Sequence, residues 1–365
     1  MNKKTLVIVS AVVVVLAVVL AVVFLGGNNT TPATTEKEYK LGMGIVVDLG
    51  ESTNLLAQVD ATVATVVLDD AGKIVACRID AVQNKATLNA DGTYTVTNLK
   101  TKMEKGDEYG MAAAVNYGMD WNGDGVVKEW YDQAKAFEAY VVGMTAAQVK
   151  AMGTQEVPGK GYIISNDDAL LSAGCTIQIT DFKEAVAKAC NDAQGVTFKS
   201  TGDFKLGVAA DSTAEESVAA TATANGTIKM YSDFAASVVV DGKIVASLND
   251  AIQPDVTYTV TGALAGTSFK ATKRELKGEY GMAAAVNYGM DWNGDGVVKE
   301  WYEQSAEFSK YVVGMTAAQV KAMGTQEVPG KGYVISNDDA LLSAGCTIQI
   351  SSIKTVVAES VNNAR

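Results

Sequence analysis

Polar and apolar positions follow three different patterns along this chain. The first is an unbroken apolar run. After Lys3 and Lys4 an uncharged stretch extends from Thr5 to Leu25. As a helix rising about 1.5 Å per residue it would reach about 31 Å, enough to cross a bilayer. It predicts a signal-anchor transmembrane segment over residues 1–27, with the lysines on the cytoplasmic side and the bulk of the chain outside. A cleaved signal peptide is the alternative, although no clear A-x-A site follows the run. No cysteine follows it either, which excludes a lipoprotein anchor. Residues 28–38 are polar and carry no large apolar group, so they read as a linker that cannot build a core.

Beyond residue 39 apolar positions alternate. "ATVATVVLDDAGKIVACRI" holds two apolar runs around Asp69-Asp70-Ala71-Gly72, a hairpin signal, and "GTYTVTNL" (92–99) predicts another strand. The period then lengthens. In "KEWYDQAKAFEAYVV" Trp130, Ala134, Phe137 and Val141 fall on one helical face. Trp130 and its repeat Trp301 are therefore expected in a core rather than stacked on a cofactor. Tyr117 and Trp121, in the loop before that helix, are freer to meet a ligand. Thr145 and Gln148 make a capping box, and Gly153 ends the helix they start. "CTIQI" alternates and predicts a last strand, leading into a helix that begins near Thr180-Asp181.

The whole pattern occurs twice. Residues 109–178, beginning "YGMAAAVNYGMDWNGDGVVKEWY", recur at 280–349 with few changes. Outside this block the copies diverge but still align: "KLG" at 40–42 and 205–207, "GKIVAC" at 72–77 and "GKIVAS" at 242–247. The expected organisation is a module at 39–193, a linker at 194–202 and a second module at 203–365. Each is α+β, an antiparallel sheet plus helices with its own core, and the pair follows the N-terminal transmembrane helix.

Charge and composition remove several function classes. The net charge is −12 and the pI about 4.6, which argues against nucleic acid, since phosphate neutralisation needs clustered Lys and Arg. There is no histidine, so Ser-His-Asp and Cys-His catalysis, His-ligated zinc and ordinary haem ligation are all excluded. Of the four cysteines, Cys77 and Cys190 occur only in the first copy, where the second has Ser247 and Val361. Their joint absence is what a Cys77–Cys190 disulfide would leave, and an extracytoplasmic location permits one; two unrelated buried thiols are the other reading. Without a C-x-x-C, no dithiol motif is indicated.

"DWNGDGVVKEWY" (120–131, again 291–302) places Asp120, Asn122 and Asp124 in alternation before Gly125. This resembles the first half of an EF-hand or dockerin calcium loop, in which oxygen side chains converge on a hard cation. Val126 would add its carbonyl oxygen. The second copy offers Asp291, Asn293, Asp295 and Val297. Tyr131 stands where such loops carry a bidentate acid, with Glu129 and Asp132 flanking it as substitutes. An Asx-rich turn capping the Trp130 helix is the alternative.

Two stretches of each copy together resemble the FMN-binding domain family, which includes flavinylated subunits of sodium-pumping quinone reductases and surface flavoproteins of Gram-positive bacteria. One is the hairpin "ATVATVVLDDAGKIVACRIDAV"; the other is "AGCTIQITDFKEAVAKAC", similar to the family's Ser/Thr-Gly-Ala-Thr stretch with its following helix. The resemblance covers about a third of each module, leaving the central block as an insertion. It implies FMN joined by a phosphoester to Thr176 and Thr347, installed by a separate flavin transferase. The motif glycine falls on Gly174 and Gly345. Cys175 and Cys346 replace the motif's Ala, and Ala173 and Ala344 its leading Ser/Thr. The resulting expectation is a membrane-anchored extracytoplasmic FMN protein that carries electrons between redox partners rather than turning over a substrate. A non-redox surface binding or spacer protein, with calcium-stiffened modules, is the alternative.

Overall fold

The structure, a computed structural model, describes residues 35–113, 120, 125–159, 161, 163–284, 289–292, 294, 296–330 and 332–365. The chain from Glu36 to Arg365 forms one compact unit. Four antiparallel strands come first: β1 (Lys37–Asp48), β2 (Leu56–Leu68), β3 (Ile74–Leu88) and β4 (Tyr94–Asn98). The β2–β3 turn closes as its Asp-Gly signal predicts. Asp69 accepts hydrogen bonds from the Ala71 and Lys73 N–H groups, and Gly72 takes a φ of +70° that a side chain would resist.

The helices of the first module follow; those at Trp130, after Thr145 and at Thr180 stand where expected, and the others are additional. In chain order they are α1 (Lys102–Lys105), a 3-10 turn at Gly106–Tyr109, α2 (Trp130–Tyr140) and α3 (Ala146–Lys150), then a small hairpin of β5 (Thr154–Glu156) with β6 (Ile163–Ser165). α4 (Asp168–Ser172) and α5 (Thr180–Cys190) complete the module. The capping box at Thr145 and Gln148 is formed, and a second one at Thr101 and Glu104 starts α1. "CTIQI" is not a strand: residues 175–179 are irregular, and Thr176 bonds to a side chain of α2 instead of to a neighbouring strand.

The expected linker is a strand as well. β7 (Val196–Ser200) pairs with the first half of β1, giving a five-stranded sheet in the order β4-β3-β2-β1-β7. The second copy then supplies β8 (Lys205–Thr213), β9 (Gly226–Lys229), β10 (Tyr231–Val240), β11 (Lys243–Ile252), β12 (Asp255–Tyr258) and β13 (Leu264–Ser268). Here the long hairpin is broken in two, as β11-β10-β8 and β13-β12-β9. Pro254 lies at one break, between β11 and β12, and its missing N–H ends the ladder there. Helices α6 (Lys273–Leu276), α7 (Trp301–Tyr311) and α8 (Ala317–Lys321) follow, then β14 (Thr325–Glu327) with β15 (Val334–Ser336), α9 (Asp339–Ser343) and α10 (Ser351–Asn362).

The two modules share one core between their sheets and each keeps a helix-side core of its own. Leu41, Met43 and Ile45 of β1 pack in one apolar cluster with Leu206, Val208 and Ala210 of β8 and Phe234 of β10. The opposite sheet faces carry the helices: α2 and α5 cover Ala64, Val66 and Ile79, while α7 and α10 cover Ala209, Ala235 and Ile244. The result is a four-layer order of helices, sheet, sheet, helices. Polar links cross the join, among them Tyr258 donating to the Gly92 carbonyl at 2.8 Å and a buried Arg274–Asp192 pair at 3.0 Å.

The fold expected from sequence is therefore corrected in its membrane part and kept in its α+β part. Among the described residues no helix is long and apolar enough to cross a membrane, and no such helix belongs to the four layers. The expected anchor at 1–27 lies outside the described residues. The Cys77–Cys190 disulfide is absent: both side chains are buried thiols in the cluster under α2 and α5, as part of close apolar packing.

Helix α5 lies unusually close to β1 because Gly44 faces it; a Cβ there would stand 2.3 Å from the Ala185 carbonyl oxygen. Gly44→Ala is expected to destabilise the protein by about 1–3 kcal/mol or more, measured by denaturant unfolding. A second expectation concerns Asp80, buried on β3, whose Oδ1 accepts from the Ala81 and Met103 N–H groups. Burial pushes its pKa up to about 7. The folded state thus holds the proton more tightly than the unfolded chain, so the contribution of Asp80 to stability is present at low pH and is lost as pH rises towards 7. Asp80→Asn keeps the accepting oxygen, and should remove up to about 4 kcal/mol of that decline in unfolding curves recorded from about pH 4 to about pH 8.

Candidate functional site

A cleft of about 620 Å³ opens on the first module between β2, β3 and the start of α5. The strands contribute Asp60, Thr62, Gln83 and Lys85; the helical layer contributes Lys102, Tyr109, Trp130 and Thr176. Period-2 alternation brings Asp60 and Thr62 to the same face of β2, and the helical stripe turns Trp130 inward at the first residue of α2. Trp130 is a core residue, as expected, yet it also forms part of the cleft wall. The Lys102 ammonium lies 5.1 Å from the Tyr109 ring centre and 5.5 Å from that of Trp130, a cation over two aromatic faces.

Thr176 is 4% exposed and belongs to this cleft. Its N–H donates to Gln133 Oε1 at 2.7 Å and its hydroxyl to the same oxygen at 3.2 Å. Gln133 Nε2 in turn donates to the Lys128 carbonyl at 2.8 Å. Gln133 is thus the residue that fixes Thr176, and residue-type reasoning missed it. Its signal was a glutamine beside Ala134 on an otherwise apolar helix face. The second copy repeats the clasp, with Thr347 bonded to Gln304 Oε1 at 2.6 and 3.1 Å.

The neighbours of the threonines do not act as the motif suggests. Gly174 has a φ of +85°, and a Cβ on it would come 2.7 Å from Lys128 Cδ. Lys128 crosses over the turn to donate to the Ala173 carbonyl at 2.7 Å. The glycine therefore serves a left-handed turn beneath a lysine, not an open approach to Thr176. Gly345 is equivalent, under Lys299. Cys175 and Cys346 are fully buried in the helix-side cores, where burial pushes each thiol up to about 12. They are inert packing residues with no part in the cleft.

The cleft is acid-rich. Asp48, Glu51, Asp60 and Asp181 line it against Lys85 and Lys102. Burial raises the pKa of Asp60 and of Asp181, the latter further through Asp48. Such a lining disfavours a free phosphate dianion and suits a flat group of low charge held on the aromatic wall.

The calcium loops are partly visible. Asn122, Asp124, Asn293 and Asp295 lie outside the described residues, as do Tyr117 and Trp121. Asp120 Oδ2 accepts from the Gly125 N–H and Asp291 Oδ2 from the Gly296 N–H, each at 2.9 Å, a bond that closes the loop across five residues. Val126 and Val297 are exposed beside these turns. Glu129 does not substitute for the missing acid: it is buried and accepts from the Met111 and Ala112 N–H groups at 2.9 and 3.0 Å, as Glu300 does from Met282 and Ala283. Among the described residues no group of three acids or cysteines is placed to hold a metal.

No protein-family model matches the chain, and no solved structure does. One curated protein, a chlorophenol reductase of Desulfitobacterium hafniense, is 26% identical over 175 residues, which is 43% of this chain and 50% of the relative. The chain thus spans half the length of the curated relative it matches.

Replacing Gln133 by Leu would remove the amide oxygen to which the buried Thr176 N–H and hydroxyl donate and is expected to lower stability by about 1–3 kcal/mol. Chemical denaturation checks this.

Proposed function

We propose that the first module carries a flavin and passes electrons between partner redox proteins outside the cytoplasm. The observation that carries this reading is the position of Thr176, a hydroxyl in the cleft beside an aromatic wall with Lys102 above it. Trp130, Tyr109 and Lys102 would hold the ring, and Thr176 would take FMN as a phosphodiester from a flavin dinucleotide, whose pyrophosphate bond breaks to release a nucleoside monophosphate as the hydroxyl proton is lost. Esterification reduces a phosphate of charge about −1.5 to −2 towards −1, which is what an acid-rich lining requires. Gln133, the partner of the Thr176 hydroxyl, is an amide and accepts no proton, and the attachment is assigned to a flavin transferase. When bound, FMN supplies the electron-transfer chemistry. Similarity to a protein named as a reductase supports a redox role, and the apolar run after Lys3 and Lys4 supports export.

The test is expression of the full chain with and without a flavin transferase, followed by intact mass and flavin fluorescence. A mass gain of FMN with the transferase, lost in Thr176→Ala, is expected. No flavin under either condition would reject the reading and leave the surface-spacer alternative. Full covalent loading of Thr176→Ala would reject the attachment site.

A further inference from the structure

The second module contains every helical-layer part of the site. Lys273 lies 5.0 Å from the Tyr280 ring centre and 5.2 Å from that of Trp301, and Gln304 clasps Thr347. The facing strands are different. Asp60 stands opposite Asp48 on β1, and in the same register Tyr231 stands opposite Thr213 on β8. Gln58 pairs with Lys85 across β2 and β3, whereas Lys229 pairs with Asp255 across β9 and β12. Two residues beyond Tyr231, Asp233 replaces Thr62.

These exchanges stitch the second site shut. The Tyr231 hydroxyl donates to Asp255 Oδ1 at 3.4 Å, and the Tyr280 hydroxyl donates to Gln253 Oε1 at 3.1 Å, tying the 3-10 turn at Lys277–Tyr280 to the residue after β11. Asp233 is bonded to Ser352 in the first turn of α10, where the first module has Asp181. A phenol ring, an added carboxylate and a bond from sheet to helix thus stand at the positions where Asp60, Lys85 and Thr62 line the first module's cleft.

We infer that, on the flavin reading above, only the first module is loaded: the chain carries one FMN, on Thr176, and the second copy is a closed partner that buttresses the first.

The experiment is peptide mapping and intact mass of the full chain coexpressed with a flavin transferase. One FMN per chain on the Thr176 peptide is expected, with no modified Thr347 peptide. A second variant, Tyr231→Ala with Asp255→Lys, removes the phenol and restores the lysine of the open copy, and should raise the stoichiometry above one. Two FMN per wild-type chain, or one on Thr347, would overturn the inference while leaving the flavin reading standing. A stoichiometry that stays at one in a folded double variant would overturn Tyr231 and Asp255 as the closure. Absence of flavin from every form would instead remove the flavin reading itself, and this inference with it.

Discussion

Both faces of the first sheet are buried, and the rest of the molecule is arranged around that constraint. One face of β1 to β3 meets the sheet of the second copy through Leu41, Val63 and Val82; the other meets α2 and α5 through Ala64, Val66 and Ile79. Neither copy could leave its inner face in water, since an exposed sheet of this size would be a large apolar patch. The copies therefore fold as one body. Residues after α5 reach Arg274 of the second copy, and Arg365, after α10, reaches Glu138 of the first. Each half completes the polar edge of the other.

Much of this arrangement was legible in the chain. The hairpin around Asp69-Gly72, the stripe of Trp130, Ala134, Phe137 and Val141, and the cap at Thr145 all rest on local physics, which adjacent residues decide. What was not legible depended on distant partners. Alternation in "CTIQI" suggested a strand, but an N–H offered Gln133 Oε1 at 2.7 Å needs no neighbouring strand. The segment at 194–202 looked like a linker because it is short and polar; β1 has a free edge there, and pairing with it satisfies the backbone groups. Cys77 and Cys190 suggested a covalent bridge by their shared absence from the second copy. Apolar burial accounts for both thiols equally well.

The candidate site shows the same division. Thr176 was identifiable from the motif, but the residues that give it a cleft come from β2, β3 and α1, far away in sequence and without a signature of their own. Gln133 was hidden because a polar residue on a helix stripe reads as a boundary of that stripe. Its meaning appears only when the facing chain offers a donor. Gly174 was recognised as special for the wrong reason: the left-handed turn and the crossing Lys128 require a glycine whether or not Thr176 is ever modified.

The repeat itself separates positioning from access. The near-identical block at 109–178 and 280–349 supplies tryptophan, glutamine and threonine to both copies, and both form the same clasp at similar distances. The facing strands, by contrast, have diverged between the copies. The strand exchanges are not conservative: an acid becomes a phenol, a lysine becomes an acid, and a threonine becomes an acid. Together they add two bonds at the second site, Tyr231 to Asp255 and Asp233 to Ser352, at positions that line the cleft of the first. A fully retained threonine clasp is therefore compatible with two different sites, because the clasp fixes the hydroxyl while the sheet decides whether anything can reach it.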